Sequence, residues 1–384
     1  VVKAARWSLR EGPDTPEARD LYARFTPLER RALARADEAE DVTIARIDWF
    51  LDAEGTHHAL ELNATIPAMQ AYSDAAAEAW IAAFAAYAGL DAGATAALVA
   101  RNGSNAEALR RSILAHGPAG ASDASSIAII HRERDSQVRE LESLARRFRE
   151  KGHEVLLATP DRVRVVDGGK VLVDGRAWDI LYRHIFARRM PDPSDLAIVA
   201  AGKASQRLQN RVNGQFEVKG LFAELSRWVD EADGAPLGLA PDEIAVVRRT
   251  VPWTRILARG PATLPGGLRV PDLVGWVEEN PSELVVKRSW DYGGKSVYLG
   301  WEVAESDGAE GWRAKVREAL AEGPAEFVVQ RRVVSPRRVH WTVGRDGAAT
   351  REEVYVDASS YTASGSRDVP AGGVVRFARV GIVN

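Results

Sequence analysis

The clearest alternation of apolar and polar positions lies near the start of the chain, in residues 42–64. The stretch VTIARIDWFLD alternates and is rich in β-branched and aromatic residues, which is typical of a half-buried strand. The letters AEGTH supply a turn, and HALELNA returns as a second strand, so the pattern predicts a β-hairpin. In residues 16–38 and 75–116 the apolar positions have helical spacing instead, which predicts helices with a Gly-rich break near residues 89–93.

A different order of elements begins after GPAGASDAS, a linker of small and turn-forming residues. SIAIIHRER predicts a short apolar strand, DSQVRELESLARRFREKGHE a capped amphipathic helix, and VLLATPDRVRVVDGGKVLVDG strands joined by a DGG turn. WDILYRHI predicts another strand and VKGLFAELSRWVDEA another helix. Because strands and helices alternate, we expect a doubly wound α/β unit over residues 126–235.

The remaining residues predict a second mixed unit followed by antiparallel strands. SELVVKRSWDYGGKSVYLG predicts a strand, a loop and a strand, GWRAKVREALAEG a helix and AEFVVQRRVV a strand. RRVHWTVGRDGAATREEVYVDASSYT predicts antiparallel strands around an RDG turn. The sequence thus divides into four parts, residues 1–125, 126–235, 236–334 and 335–384.

Composition narrows the classes of protein that remain. A chain of 384 residues is too long for one small core. The balance of 51 basic against 54 acidic residues, a net charge of −3, argues against nucleic acid or an anionic membrane as a partner. The absence of cysteine excludes disulfides, thiolate metal sites and a cysteine nucleophile. The longest apolar stretch, AAAEAWIAAFAAYAGL, is shorter than the roughly 20 residues of a membrane span and predicts a buried helix. These features suit a cytoplasmic enzyme.

Polar side chains interrupt both strands of the predicted hairpin at every second position. Arg46 and Asp48 share one face of the first strand, and Glu61 and Asn63 share one face of the second. Pairing across the turn can bring all four onto one side. Two carboxylates and an amide oxygen suit Mg²⁺, and the guanidinium of Arg46 suits phosphate or carboxylate oxygens. The alternative is an exposed polar face with an Arg–Asp pair worth at most about 1 kcal/mol.

A second group of candidate residues surrounds a Gly-Gly pair in the later strand–loop–strand. Lys287 ends the strand, and the loop contains Gly293, Gly294 and Lys295. Glycines let backbone N–H groups approach a phosphate, and the two lysines add positive charge. The loop matches neither the P-loop nor the dinucleotide-binding pattern. A Gly-Gly hairpin turn is the alternative.

The strand FVVQRRVV, further along the chain, offers an apolar surface for a flat ring. It runs into Gln330 and Arg331. An adenine ring needs an apolar slot with one backbone donor and one acceptor, which a strand leading to a hinge can provide. The alternative is a central strand that ends in solvated charges.

The order of these motifs resembles the circularly permuted ATP-grasp family of the glutathionylspermidine synthase type. RID followed by ELNATIP is similar to the family's R-x-D and E-x-N strands with a proline shortly after, here Pro67. ELVVKRSWDYGGKSV is similar to the ATP-grasp small subdomain, with Lys287 at the position of the nucleotide lysine. FVVQRRVV takes the place of the adenine-hinge strand, and NGQFEVKGLFAEL resembles the segment with an earlier ATP-contacting lysine, here Lys219. The E-x-N motif precedes the nucleotide lysines, as a permuted order requires.

The resemblance implies an α/β ATP-grasp fold, circularly permuted, with residues 126–235 as a doubly wound pre-ATP-grasp subdomain. Residues 1–125 would carry the metal-binding hairpin of the ATP-grasp core, 236–334 would form the small subdomain, and 335–384 would return strands to the core. The family's amidase domain and its final Gly-rich segment are not recognised in the sequence. Because the chain begins with Val instead of Met, we expect that its start has been trimmed or processed. Because the final Gly-rich segment is missing, we expect that its end is truncated or disordered.

The resemblance further implies an ATP- and Mg²⁺-dependent ligase that forms a C–N bond through an acylphosphate and releases ADP. The substrates would be a small-molecule or peptide carboxylate and an amine-type nucleophile. The implied metal ligands are Asp48, Glu61 and Asn63. The implied ATP contacts are Lys219, Lys287, Gly293, Gly294, Lys295, Gln330 and Arg331, and the implied catalytic residues are Arg46 with one of Arg376 and Arg379.

Other interpretations of the sequence remain open. A non-catalytic ATP-grasp relative would bind nucleotide only, and a nicotinamide-dependent oxidoreductase would account for the α/β unit but lacks its glycine fingerprint. A carbohydrate- or peptide-binding module would use the eleven tryptophans as stacking surfaces. His57 and His58 are either metal ligands or part of an exposed turn. Arg207 and Arg211 either bind a carboxylate or lie on a solvated helix face.

Overall fold

The computed structural model describes three main sheets with helices packed around them. The described residues are 1–10, 20–27, 29–30, 42–167, 170–186, 207–211, 214–291, 294, 296–343, 349–363 and 372–379. Their helices are α1 (Val2–Arg10), α2 (Gln70–Ala88), α3 (Ala92–Asn102), α4 (Asn105–Ala115), α5 (Val138–Glu150), α6 (Gly220–Ala232), α7 (Pro241–Thr250), α8 (Leu273–Glu279) and α9 (Gly300–Ala321). None of the helices in these ranges is long and apolar enough to cross a lipid bilayer.

The strands of the same ranges fall into two groups along the chain. The first group is β1 (Ala45–Leu51), β2 (His57–Asn63), β3 (Ile127–His131), β4 (Val155–Ala158), β5 (Val163–Val166), β6 (Lys170–Val173), β7 (Arg176–Ala177), β8 (Ile180–His184) and β9 (Leu208–Gln209). The second group is β10 (Thr254–Ile256), β11 (Ala262–Thr263), β12 (Arg269–Val270), β13 (Leu284–Arg288), β14 (Val297–Leu299), β15 (Phe327–Arg331), β16 (Arg338–Val343), β17 (Ala349–Thr362) and β18 (Gly373–Ala378).

The predicted hairpin is present and lies inside a five-stranded antiparallel sheet. β1 pairs with β2 on one side and with β17 on the other, and β17 also pairs with β16 and β18. The sheet therefore joins strands from the beginning of the chain to strands near its end. A bulge between Asp48 and Trp49 shifts the register of the hairpin, and bulges of this kind re-aim the neighbouring side chains.

The second sheet is parallel and has four strands, in the order β4-β3-β8-β9. Parallel strands need a crossover connection, and α5 supplies the one between β3 and β4. The apolar side of α5 packs on the sheet through Leu141, Leu144 and Phe148, which are buried with Ile127 and Ile129. The strands predicted at SIAIIHRER and WDILYRHI are the two central strands of this sheet.

The third sheet is antiparallel, in the order β10-β15-β13-β14, and contains the strands predicted at FVVQRRVV and ELVVK. α8 and α9 pack together around Trp312, whose Nε1 donates to the Val277 carbonyl over 2.8 Å. At Gly300, the first residue of α9, a Cβ would lie 2.1 Å from the Pro281 carbonyl oxygen, so this close approach requires glycine. The packing fixes β13, which carries Lys287.

The helical stretch predicted over residues 75–116 differs from the prediction in two ways. It has a second break, because Gly103 adopts a φ of 72° after α3, and Ser104 then accepts the Glu107 N–H and caps α4. The Ala-rich helix α2 is also not buried as predicted. Only one side of it packs on α4, α5 and the first sheet, and its other side is exposed.

Candidate functional site

The three sheets meet around a cavity of about 840 Å³. The hairpin β1–β2 forms one wall, and β13 with β15 forms another. Arg132, directly after β3, and Ile185, directly after β8, line the cavity at the carboxyl ends of the parallel strands. Ligands of open α/β sheets bind at such carboxyl ends, so this cavity is the candidate site.

Arg46, Asp48, Glu61 and Asn63 all line this cavity, in agreement with their two-residue spacing. In the hairpin register Arg46 lies opposite Asn63, and Asp48 lies opposite Glu61. Residues directly opposite each other in an antiparallel pair share a face. The Arg46 guanidinium holds both oxygens of Asp48, with Nε–Oδ1 at 2.7 Å and Nη2–Oδ2 at 3.0 Å. Its Nη1 donates to the Ala68 carbonyl over 3.3 Å, so all sides of the fork are held.

A further carboxylate, which no sequence motif indicates, lies beside Asp48. Arg376 on β18 bridges the two, because its Nη2 donates to Asp48 Oδ2 over 3.1 Å and also to Asp357 Oδ2. Asp357 lies on β17, is buried and lines the cavity. Burial, opposed by Arg376 and reinforced by the charge of Asp48, raises the pKa of the Asp357 carboxyl to about 6. Asp357, Ser359 and Tyr361 alternate along β17 as the polar residues of the hairpin do, and this alternation is the signal that could have identified it.

Asp48→Ala is expected to destabilise the fold as well as alter the site. The substitution leaves the buried guanidinium of Arg46 without its carboxylate partner. Removing one partner of a buried ion pair costs about 3–5 kcal/mol, and urea unfolding should show a loss at the lower end of that range. Glu142→Ala is the control, because its pair with Arg139 is exposed and should contribute little. Equal unfolding midpoints for the two variants would contradict the role given to Asp48.

The other carboxylate of the hairpin, Glu61, pairs with a lysine from a distant part of the chain. Lys219 lies directly before α6, and its Nζ is 3.0 Å from Glu61 Oε2. The same Nζ donates over 2.6 Å to the carbonyl of Asp291, at the start of the Gly-rich loop. The backbone N–H of Lys219 donates to the Ser289 carbonyl, and that of Gly220 donates to Ser289 Oγ. These bonds fix Lys219 against the end of β13.

Lys287 and Gln330 form a short hydrogen-bonded chain across the third sheet. Lys287 Nζ donates to Gln330 Oε1 over 2.8 Å, and Gln330 Nε2 donates to Thr254 Oγ1 over 2.9 Å. Lys287 Nζ also donates to the Leu60 carbonyl over 2.9 Å. Because Leu60 precedes Glu61 on β2, this contact brings the lysine of the third sheet to the hairpin of the first.

Burial disfavours the charged forms of both Glu61 and Lys287, so it shifts their two pKa values in opposite directions. Burial by itself would raise the pKa of the Glu61 carboxyl, but the positive charges of Lys219, Lys287 and Arg46 outweigh it and lower that pKa to about 2. Burial and the neighbouring Lys219, only partly offset by Glu61, lower the pKa of the Lys287 ammonium to about 7. Glu61 is therefore anionic at neutral pH, whereas Lys287 is close to its titration midpoint.

Part of the Gly-rich loop reaches the same cavity. Gly294 lines it with a φ of 68°, a left-handed backbone conformation that glycine adopts without strain. Gly293 and Lys295 lie outside the described residues. Arg331, at the end of β15, is exposed and also lines the cavity.

The hairpin supplies oxygen atoms of the kinds that a hard divalent cation binds. Asp48 and Glu61 supply carboxylate oxygens and Asn63 an amide oxygen, which Mg²⁺ accepts together with water and phosphate oxygens. Within the described ranges, no three His, Cys, Asp or Glu side chains form a metal-binding group by themselves. Oxygens of Asn63 and of a bound substrate would therefore have to complete the coordination. Arg46 and Lys219 balance the two carboxylates.

Of the two C-terminal arginines named from the sequence, Arg376 lines the cavity and Arg379 does not. The exposed Arg379 guanidinium pairs with Glu352, with Nε–Oε2 at 2.5 Å. The difference arises from strand pairing, because Arg376 lies opposite Asp357 in the β17–β18 register, whereas Arg379 follows the last residue of β18.

The residues whose roles the sequence leaves open are His57, His58, Arg207 and Arg211, and none of them lines the cavity. His58 Nε2 is 2.8 Å from Asp52 Oδ2 at the hairpin turn. His57 begins β2.

Comparison with known proteins finds similarity in structure but not in sequence. No model of a protein family matches the chain, and no curated protein matches it. A glutathione synthetase-like effector from Globodera pallida matches 98% of this chain and 83% of its own, with a TM-score of 0.57 at 10% identity. A protein assigned as a gamma-glutamylcysteine synthetase from Methylobacillus flagellatus matches 99% of this chain and 82% of its own, with a TM-score of 0.44 at 10% identity. The first of these likenesses shows that the chain shares the fold of that glutathione synthetase-like effector.

Proposed function

We propose that the protein is an ATP- and Mg²⁺-dependent ligase that joins a carboxylate to an amine-type nucleophile and releases ADP. The observation that carries the proposal is the meeting of lysines and carboxylates in one large cavity. Lys219, Lys287 and Asp48, which are buried, line it together with the partly buried Glu61. Lysines suit the phosphates of a nucleotide, and carboxylates suit the divalent cation that accompanies them.

The residues of the two walls have separate tasks in this proposal. Asp48, Glu61 and Asn63 would hold Mg²⁺, which when bound neutralises charge on the phosphoryl group that is transferred. Lys219 and Lys287 would leave their present partners and bind phosphate oxygens. Such chemistry depends mainly on positioning and charge neutralisation, which is why a site built from ion pairs suits it.

The proposed reaction has two steps. An oxygen of the substrate carboxylate bonds to the γ-phosphorus of ATP while the bond to ADP breaks, which gives an acylphosphate. The amine then adds to the acyl carbon, loses a proton and expels phosphate. Arg46 and Arg376 would stabilise the negative charge that develops on the acylphosphate and the tetrahedral intermediate. Exclusion of water from the cavity would protect the acylphosphate from hydrolysis.

We also propose that the ATP-grasp core is circularly permuted. β1 and β2 precede β13 along the chain, yet β1 pairs with β17 near the other end. A permutation accounts for this order, because it moves the final strands of a sheet to the start of the chain. In this proposal the core is formed by residues 1–125 and 335–384, the small subdomain by 236–334, and the pre-ATP-grasp subdomain by 126–235.

The reaction is tested with ATP, Mg²⁺ and a panel of carboxylates, peptides among them, offered with and without amines. We expect ADP release that requires the carboxylate, and a hydroxamate product when hydroxylamine replaces the amine, because hydroxylamine traps an acylphosphate. Mixtures without carboxylate are the control. Binding of ATP and Mg²⁺ without ADP release from any mixture would favour a non-catalytic nucleotide-binding protein. Failure to bind nucleotide at all would remove the proposal.

A further inference from the structure

The helix α2 is apolar on two sides, and only one of them is covered. Ala71, Ile81 and Ala85 face inward and are buried. On the opposite side Trp80 is 65% exposed and Tyr87 is 91% exposed. A helix that is apolar all round is normally buried all round, so the outward side of α2 lacks its partner in a single chain, as far as the described residues show.

The outward side has the spacing of a helix-packing surface. Tyr72, Ala76, Trp80, Ala83 and Tyr87 follow one another at intervals of three or four residues, which places them in one stripe along the helix. The small alanines allow another helix to approach closely, and the rings between them can fill the grooves of that helix. We call these five residues the α2 stripe.

The acidic residues that flank the α2 stripe are engaged within the chain. Glu78 is held by Arg147 through two bonds of 2.9 Å, and Asp91 caps α3 by accepting the Ala94 N–H over 2.7 Å. The twelve letters AWIAAFAAYAGL that contain Trp80 include no charged residue. The neighbouring helix α3 has no buried residue, and Arg101 in its last turn is its single charged residue, so a largely uncharged surface extends beyond α2.

We propose that the α2 stripe is the contact surface of a homodimer, in which α2 packs antiparallel on α2 of a second copy across a two-fold axis. An uncharged surface of rings and alanines is complementary to itself and offers no charge pattern for a different partner to match. A two-fold dimer brings the same patch together from both copies. The dimer is independent of the catalytic activity proposed above.

The exposed rings of α2 supply more than half of the area that such a dimer needs. Tyr72 of the stripe and Phe84 beside it are each 40% exposed, in addition to Trp80 and Tyr87. With roughly 200 Å² for each ring, the four side chains expose about 450–500 Å² per chain. A stable interface buries about 800 Å² on each partner, and the exposed alanines of α2 with the outer side of α3 can supply the remainder.

The first test compares molecular masses in solution by light scattering and sedimentation. We expect the wild-type protein to have twice the 41.8 kDa mass of one chain and Trp80→Glu to have the mass of one chain. Trp341→Glu is the matched control, because Trp341 is 68% exposed and lies on β16, outside α2, and it should stay dimeric. A monomeric wild-type protein would overturn the proposal, whether the stripe is covered by the chain itself or by nothing. A Trp80→Glu protein that remains dimeric would overturn it as well.

The second test uses the absence of cysteine from the chain. Single variants Ala76→Cys, Ala79→Cys and Ala83→Cys place one thiol each along α2, while Ala309→Cys places one on the exposed part of α9. Mild oxidation should give a disulfide-linked dimer from at least one of the α2 variants and not from Ala309→Cys. This test needs no disruptive substitution, so it decides the matter even if Trp80→Glu misfolds. Absence of a linked dimer from all three α2 variants would overturn the proposal.

Discussion

Glu61→Gln is expected to reduce carboxylate-dependent ADP release at least about a hundredfold and to leave the protein folded. The change removes the negative charge that would bind Mg²⁺, and it keeps the size of the side chain. The amide oxygen of glutamine can still accept from Lys219, whose Nζ is 3.0 Å from Glu61 Oε2 in the present structure. The loss should therefore arise from the cation site and not from a collapse of the hairpin.

The measurement is the rate of ADP release at increasing Mg²⁺ concentration, together with the urea unfolding midpoint. Glu54→Gln is the matched control, because Glu54 is exposed at the turn of the same hairpin and should leave both readouts unchanged. A Glu61→Gln protein that retains activity within tenfold of the wild type would remove Glu61 from the proposed metal ligands. Asp48→Ala is less informative, because it also disturbs the buried guanidinium of Arg46.

The ion pairs of the site balance its charges within the protein. Glu61 and Lys219 neutralise each other, and Asp48 is neutralised by Arg46 and Arg376. A cation alone would leave Lys219 near an additional positive charge, and a triphosphate alone would bring more negative charge to Glu61. When the cation and the triphosphate bind together, the cation can replace lysine as the partner of the carboxylate, and the phosphates can replace the carboxylate as the partner of the lysine. Each ligand should therefore favour binding of the other.

The hairpin of the candidate site is predictable from the sequence because its information is local. The two-residue alternation and the turn between the strands lie within 20 residues or so, and together they place Arg46, Asp48, Glu61 and Asn63 on one side. Lys287 is predictable for the same reason, since a β-rich run ends at it. In both cases the local pattern shows on which face of its strand a residue lies. The neighbouring strands of the sheet need not be known for this prediction.

The partners of these residues are not predictable in the same way, because they depend on pairing between distant strands. Asp357 reaches Asp48 only because β17 lies beside β1 and β18 brings Arg376 across from it. Nothing local distinguishes Arg376 from Arg379 until the register of β18 is known. Burial of α2 is also predicted wrongly, because the composition of a helix does not show whether its second apolar side is covered within one chain.

Lys287→Met is expected to lower carboxylate-dependent ADP release about a hundredfold and to abolish a proton uptake that accompanies nucleotide binding. Burial and the charge of Lys219, partly offset by Glu61, lower the pKa of Lys287 to about 7. Above that pH the free protein holds mostly neutral Lys287. A bound phosphate favours the ammonium form and raises its pKa, so binding near pH 8 should take up approximately one proton.

The lowered pKa of Lys287 also makes the free energy of unfolding depend on pH. The unfolded chain keeps the ordinary lysine pKa of about 10.4, so between pH 7 and that value it binds a proton that the folded protein has lost. The contribution of Lys287 to the free energy of unfolding should therefore rise with pH over this window and be constant below it. Lys287→Met should remove this contribution.

Titration calorimetry of ATP and Mg²⁺ in buffers with different ionisation enthalpies measures the proton uptake directly. For the wild type we expect uptake that is large near pH 8 and small near pH 6, where Lys287 is already charged in the free protein. Lys3→Met is the control, because Lys3 pairs with Glu243 far from the cavity lining and its removal should leave the uptake unchanged. An equal uptake by the wild type and Lys287→Met would show that Lys287 does not meet the phosphates, and the lysine half of the site would have to be assigned elsewhere.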